Sequence, residues 1–212
     1  MFTGDEFADG GDFIAKTLAA QKIKANFFLT GRFYDNPKFK GLIQRLGKDG
    51  HYLGPHSYGH LLYCDWTKRD SLLVNRQEFT DDLSKNLTAI GNYGQAFAKP
   101  RYFMPPYEWY NESISKWSSD MGIQIINFTP GTLTNADYTT PDMKNYRNNE
   151  VIWNSIIEKE SKSPSGLKGY ILLVHIGTDP KRTDKFYYRL PELLRLLNFK
   201  GYRFVKIDQL LK

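Results

Sequence analysis

The stretch His56-Ser57-Tyr58-Gly59-His60 places two imidazoles four positions apart in a chain with only four histidines. Two histidines at i and i+4 on a helical turn point to one side and can share a divalent metal, as they do in zinc proteases. Alone the pattern is weak, because the same spacing arises on ordinary polar helix faces. The protease arrangement also needs a glutamate directly after the first histidine, and Ser57 stands there. Other groups that could do chemistry sit where strands are expected to end. They are the carboxylates of Thr3-Gly4-Asp5-Glu6 and Asp9-Gly10, the turn Pro105-Pro106-Tyr107 followed by Trp109 and Tyr110, and His175 after an apolar run. Hydrolysis of an amide or ester needs an activated water, a polarised carbonyl and a protonated leaving group, which such a set could supply. Each has a plainer reading: a histidine ending a buried strand is usually a hydrogen-bonded core residue, and Pro-Pro-Tyr is usually a turn with a packed aromatic.

The elements that must position these groups follow from periodicity. Residues 12–31 read as an amphipathic helix, with Phe13, Ile14 and Leu18 on one face, followed by the strand Ala25 to Leu29. The same unit recurs over 37–54. Helices are expected within 78–94, within 111–122 with Asn111 as the cap, within 150–161 and within 189–201. Strands are expected around 102–104, 123–128, 169–175 and 202–207. Helices alternating with apolar strands predict an α/β fold with a mostly parallel sheet surrounded by helices, its chemistry at the strands' C-terminal ends. The irregular stretch Thr129 to Asn149 is long for an idle loop, and a functional role is expected of it.

With 212 residues, 41% of them apolar and 25% charged, the chain suits one globular domain, and no apolar run approaches membrane-spanning length. Its abrupt start suggests a domain excerpted from a longer protein, and fusion to another domain is expected. The net charge of +6 favours anionic partners such as uronate-bearing glycans or cell-wall polymers. Scattered Lys and Arg and the absence of any recognition signature exclude nucleic acid. Cys64 is the one cysteine, so no internal disulfide can form.

Residues 50–60, Gly-His-Tyr-Leu-Gly-Pro-His-Ser-Tyr-Gly-His, resemble the Gly-His-x-x-Gly-x-His-Ser/Thr-x-x-His stretch of the polysaccharide deacetylase family. Other segments resemble it in family order: Lys24 to Gly31, Met104 to Trp109, Ile171 to His175, and the closing stretch from Gly201. The resemblance spans nearly the whole chain and implies a distorted (β/α) barrel that removes acetyl groups from an acetylated polysaccharide or oligosaccharide. It further implies one divalent metal, zinc first with cobalt or nickel as alternatives, held by His56, His60 and a carboxylate. His51 falls at a structural position. The backbone N–H of Tyr107 would complete an oxyanion hole, His175 would protonate the leaving group, and Pro106 and Trp109 would lie against the sugar. A secreted, periplasmic or cell-surface location follows from the same resemblance. The runner-up is a glycan-binding module on this scaffold with weakened or lost catalysis.

Three departures from the family pattern mark the acidic and second-layer positions. The acidic motif aligns without gaps with Asp5 as base and Glu6 as ligand, whereas a shifted register makes Asp9 the ligand and puts Ala8 at the base. The ungapped register is preferred because it keeps two carboxylates at a strand end. Met104 replaces the arginine that anchors the base, leaving Asp5 to a metal-bound water or to the 129–149 loop. The usual aspartate partner of the acid histidine is missing from 126–132; Asp137 is the nearest carboxylate downstream, and Asp179 is a second candidate to orient His175.

Overall fold

Several helices begin where a side chain takes up a free backbone N–H of the first turn: Thr30, Asn75, Asn111 and Asn148 each accept from the residue three positions on. In the computed structural model, which describes residues 1–94 and 100–211, the elements in chain order are β1 (Phe2–Gly4), α1 (Gly11–Ala20), β2 (Asn26–Leu29), α2 (Gly31–Asp35), α3 (Lys40–Lys48), β3 (Tyr52–Pro55), α4 (Arg76–Gly91), β4 (Tyr102–Phe103), α5 (Glu112–Asp120), β5 (Gln124–Ile125), α6 (Asn149–Lys162), β6 (Val174–His175), α7 (Leu190–Phe199) and α8 (Ile207–Leu210). Asn75 caps α4 in a reciprocal capping box with Glu78, and Asn111 caps α5 through the Ile114 N–H at 3.1 Å. Among the described residues the strands form one sheet of four and one of two.

By its contacts the chain divides into two compact units, one of Met1–Thr3, Phe7–Ala25 and Phe128–Lys212, the other of Gly4–Glu6 and Asn26–Asn127. In the first, β1 and β6 pair in parallel with Phe2 opposite Val174 and Thr3 opposite His175. Helix α1 buries Ile14, Ala15 and Leu18 and packs on α7, whose Leu190, Leu193, Leu194 and Leu197 recur at helical spacing. In the second, β2 and β3 pair in parallel from Asn26 opposite Tyr52 to Leu29 opposite Pro55, and β4 pairs with β5. The Thr30 N–H donates to the Gly4 carbonyl at 3.0 Å, so the chain leaving β1 runs beside the end of β2. A core of Tyr63, Cys64, Phe79, Leu83, Phe103, Ile114 and Ile123 lies under α4 and α5. The architecture is α/β with parallel strands flanked by helices.

Two expected strands differ. The apolar run 169–175 is ladder-paired at Val174–His175, opposite Phe2 and Thr3; Ile171 instead turns to the long loop, where its carbonyl accepts from the Thr129 N–H and its own N–H donates to the Thr129 hydroxyl. Residues 202–206 form no strand: the Tyr202 N–H closes the end of α7 on the Leu197 carbonyl, and its hydroxyl accepts from the Leu167 N–H. No described helix is long and apolar enough to cross a membrane.

Candidate active site

His56 and His60 are not on a helix. They lie in the loop that leaves β3, with Ser57 and His60 in the left-handed region at φ 68° and 56°, a strained arrangement for side chains other than glycine. Two residues on one face of α4 hold it. The Asp82 carboxylate accepts from the Ser57 hydroxyl at 2.6 Å and from the Tyr58 and Gly59 N–H groups at 2.8 Å each. The Asn86 side-chain oxygen accepts from the His56 N–H at 2.9 Å. The start of α2 braces the other side: Gly31 and Arg32 N–H groups donate to the Ser57 and Tyr58 carbonyls. A Cβ at Gly31 would stand 1.9 Å from the Tyr58 ring, so only glycine permits this approach.

The imidazole rings come to 5.1 Å between centroids. His56 Nδ1–H donates to the Met104 carbonyl at 2.7 Å, which fixes the tautomer and makes Nε2 the lone-pair nitrogen, the usual preparation of a metal ligand. The pair therefore fits a divalent ion. A third ligand is not gathered: among the described residues no group of three His, Cys, Asp or Glu side chains could hold a metal. Glu6, the expected third, is exposed and makes no hydrogen bond or ion pair among the described residues. His51 is buried with its ring edge against Phe27, a packing role.

Asp5 is anchored firmly. One oxygen accepts from the Thr30 hydroxyl at 2.8 Å and the other from Arg32 Nη2 at 2.6 Å. Its support thus comes from the start of α2, where Thr30 is also the cap that accepts from the Phe33 N–H, and the expected anchor in the long loop is replaced by Thr30 and Arg32. Met104 is buried, and it serves the site through its backbone carbonyl alone.

Asp9 is engaged elsewhere. Its oxygens accept from the Thr178 N–H at 2.9 Å and the Tyr187 hydroxyl at 2.8 Å, with Lys185 Nζ at 3.1 Å. Gly10 follows because a Cβ there would lie 2.7 Å from the Ile176 carbonyl oxygen. The Asp-Gly pair therefore ties the start of α1 to the chain after β6. Burial opposes the charge on Asp9, but the bonds from Tyr187, Thr178 and Lys185 outweigh it and hold the carboxyl below its ordinary 3.8. A folded-state value below the unfolded one contributes stability above about pH 4 that is lost as pH falls through the folded value. Thermal melts should show Asp9→Asn less stable than wild type at about pH 7, with the gap narrowing as the pH falls below the ordinary carboxylate value. A gap independent of pH would exclude a contribution from the charge.

Tyr107 and Glu108, after Pro105 and the buried Pro106, both have positive φ (57° and 53°). The turn is pinned by Asn127, which donates to the Glu108 carbonyl at 2.9 Å. The Tyr107 N–H meets no acceptor among the described residues, as an oxyanion donor must not. The Tyr107 ring lies 4.5 Å from that of His60 and 5.5 Å from Trp66. Trp109 is partly buried against the core with the Arg69 guanidinium over its ring, so the exposed aromatic surfaces here belong to Tyr107 and Trp66.

In the first unit, His175 Nδ1 is 2.6 Å from an Asp137 oxygen, and the other Asp137 oxygen accepts from the His175 N–H at 2.9 Å. Asp137 is buried and the imidazole partly exposed. Asp179 does not orient His175: its carboxylate caps a turn by accepting from the Lys181 N–H. The loop bearing Asp137 is held by the buried Arg182, which donates to the Thr139 and Arg147 carbonyls.

Sequence reasoning missed Thr30, Arg32, Trp66 and Asp82. Thr30 and Arg32 follow directly on the Lys24 to Leu29 segment and could have been weighed as neighbours of a strand-end acid; Asp82 had no local signal at all.

Within the unit that contains Gly4–Glu6 and Asn26–Asn127, the paired-imidazole loop and the anchored carboxylate suit metal-assisted hydrolysis. Residues 8–126 match the polysaccharide deacetylase family, and the chain belongs to that family. It is 25% identical over 216 residues to a peptidoglycan-N-acetylglucosamine deacetylase of Bacillus cereus, covering 96% of this chain and 66% of that one. A peptidoglycan-N-acetylglucosamine deacetylase of Listeria monocytogenes is 28% identical over 198 residues, covering 93% of this chain and 35% of that one. The chain therefore spans about two thirds or less of the length of these relatives. Among solved structures, a family 4 acetyl xylan esterase from Clostridium thermocellum, in complex with a cobalt ion, superposes with a TM-score of 0.74 at 19% identity, covering 99% of this chain and 88% of that one.

Proposed function

We propose that the chain is a metal-dependent deacetylase that removes N- or O-linked acetyl groups from a polysaccharide or oligosaccharide. The observation that carries this is the His56–His60 pair, with the His56 tautomer set by the Met104 carbonyl. The relatives' activity on N-acetylglucosamine polymers supports an acetylated glycan as substrate. His56 and His60 would hold the ion together with Glu6, whose exposed side chain makes no competing bond among the described residues. Two imidazoles and a carboxylate suit zinc, with cobalt or nickel able to replace it. When bound, the ion would supply a Lewis acid and acidify a water.

The remaining roles belong to the chain. Asp5, held by Thr30 and Arg32, takes the proton of the attacking water. The Tyr107 N–H, fixed by its strained turn, donates to the oxygen that gains charge. His175 delivers a proton to the departing nitrogen or oxygen, and the buried Asp137 stabilises the imidazolium that carries it. A substrate of this kind lies outside the cytoplasm, which accords with a secreted, periplasmic or cell-surface location.

Acetate release from acetylated chito-oligomers and xylan tests the reading: a chelator should abolish it, and zinc or cobalt should restore it. Release that survives chelation would sink the metal-dependent reading. His175→Ala should impair hydrolysis of an acetylated sugar by at least about tenfold more than that of an activated aryl acetate, whose leaving group needs little protonation. Equal losses on both would leave His175 a structural role.

A further inference from the structure

The loop after the imidazole pair carries a feature that deacetylation itself does not require. Residues 65–71 form a tight hairpin: Asp65 N–H donates to the Ser71 carbonyl at 2.9 Å, Ser71 N–H to the Lys68 carbonyl at 2.7 Å, and Cys64 bridges Leu72. It presents Trp66, 54% exposed, beside Tyr107, 43% exposed. Arg69 is built in with care. Its Nε donates to the Tyr110 carbonyl at 2.6 Å, its carbonyl accepts from Asn111 at 3.1 Å, and its guanidinium stacks 4.3 Å from the Trp109 ring centroid. The nearby acids do not neutralise it. The Asp65 carboxylate is spent on the Thr67 and Lys68 N–H groups and the Thr67 hydroxyl, and neither it nor Asp70 forms an ion pair with Arg69 among the described residues.

From this geometry we infer a subsite for a carboxylate-bearing sugar, in which Trp66 and Tyr107 stack against the pyranose and the two outer nitrogens of Arg69 grip the carboxylate. A guanidinium held at Nε and stacked on an indole loses little further entropy on binding, and its remaining fork matches a carboxylate in shape and charge. Flat aromatic faces beside it supply apolar contact for the ring. The continuous run of rings from His60 through Tyr107 to Trp66 and Trp109 places this sugar beyond the one that loses its acetyl group. The substrate class is then an acidic glycan, such as a hexuronate-containing oligosaccharide, in keeping with the positive net charge. This rests on the glycan reading above.

Calorimetry with a hexuronate-containing tetrasaccharide and its carboxyl methyl ester tests it without needing turnover. Wild type should bind the acid form about 10- to 100-fold tighter than the ester, the range of a charge-assisted hydrogen-bond pair at an exposed site. Arg69→Gln should erase that preference and leave ester binding unchanged, while Trp66→Ala should weaken both ligands. Raising salt to 1 M should shrink the preference, since exposed charges are screened. Equal binding of acid and ester by wild type, binding of neither, or a preference that survives Arg69→Gln in a folded variant overturns the subsite. A preference present without any acetate release would instead reject the deacetylase reading and leave the subsite standing.

Discussion

Asp5→Asn should lower turnover on an acetylated glycan by about 100- to 10,000-fold, the usual loss when a general base is removed, while metal content and melting temperature stay near wild type. Asparagine keeps the size and one acceptor oxygen, enough to retain the bond from the Thr30 hydroxyl, so with fold and metal unchanged the loss would report the proton-accepting charge. Arg32 provides a graded control. Its bond to Asp5 is partly exposed and so adds little stability, yet it fixes where that carboxylate points. Arg32→Ala should cost about 10-fold or more in kcat with KM nearly unchanged, because misplacing a reacting group penalises the chemical step, and Arg32→Lys should recover part of it. Asp9→Asn, by contrast, should leave turnover near wild type at neutral pH and act on stability. If Asp9→Asn lost metal while Asp5→Asn turned over normally, the shifted register of the acidic motif would be correct and the base would lie elsewhere.

How much of this was legible beforehand differs between fold and site. Helices α3, α4, α5 and α7 could be read from spacing and capping residues, because apolar stripes and Asn caps are local signals. The two strands that failed were apolar runs whose fate depended on a partner: Ile171 is bonded to Thr129 of the long loop, and Tyr202 found a helix end instead. At the candidate site, His56, His60, Asp5 and Tyr107 could be nominated from the sequence because family order and residue type coincided. The choice between Asp137 and Asp179 was not, since it turns on which of two loops folds back to the His175 ring, a matter of tertiary packing. The helical reading of the histidine loop failed for a related reason. Nothing local announces that Ser57 and His60 adopt positive φ; Asp82 and Asn86, a turn apart on α4, impose it from a distance in sequence.

That imposed geometry sets the largest effect expected of any substitution. His56→Ala or His60→Ala should leave protein without stoichiometric metal and without measurable acetate release, each alone, because one imidazole and one carboxylate hold a divalent ion far less well than the full set. Metal content after dialysis separates this from misfolding, as does circular dichroism on the same sample. Asp82→Ala distinguishes a ligand from the scaffold that aims it. With Asp82 gone, the Ser57 hydroxyl and two backbone N–H groups lose their acceptor, the strained loop relaxes and the two rings no longer meet at a fixed distance. Metal affinity should fall by about 10- to 100-fold, the usual cost of removing a group that orients ligands, and excess zinc should restore activity to Asp82→Ala but not to His56→Ala. If both histidine variants kept full metal and full activity, the ion would have to be held by other residues, and the tautomer set by the Met104 carbonyl would reflect packing alone.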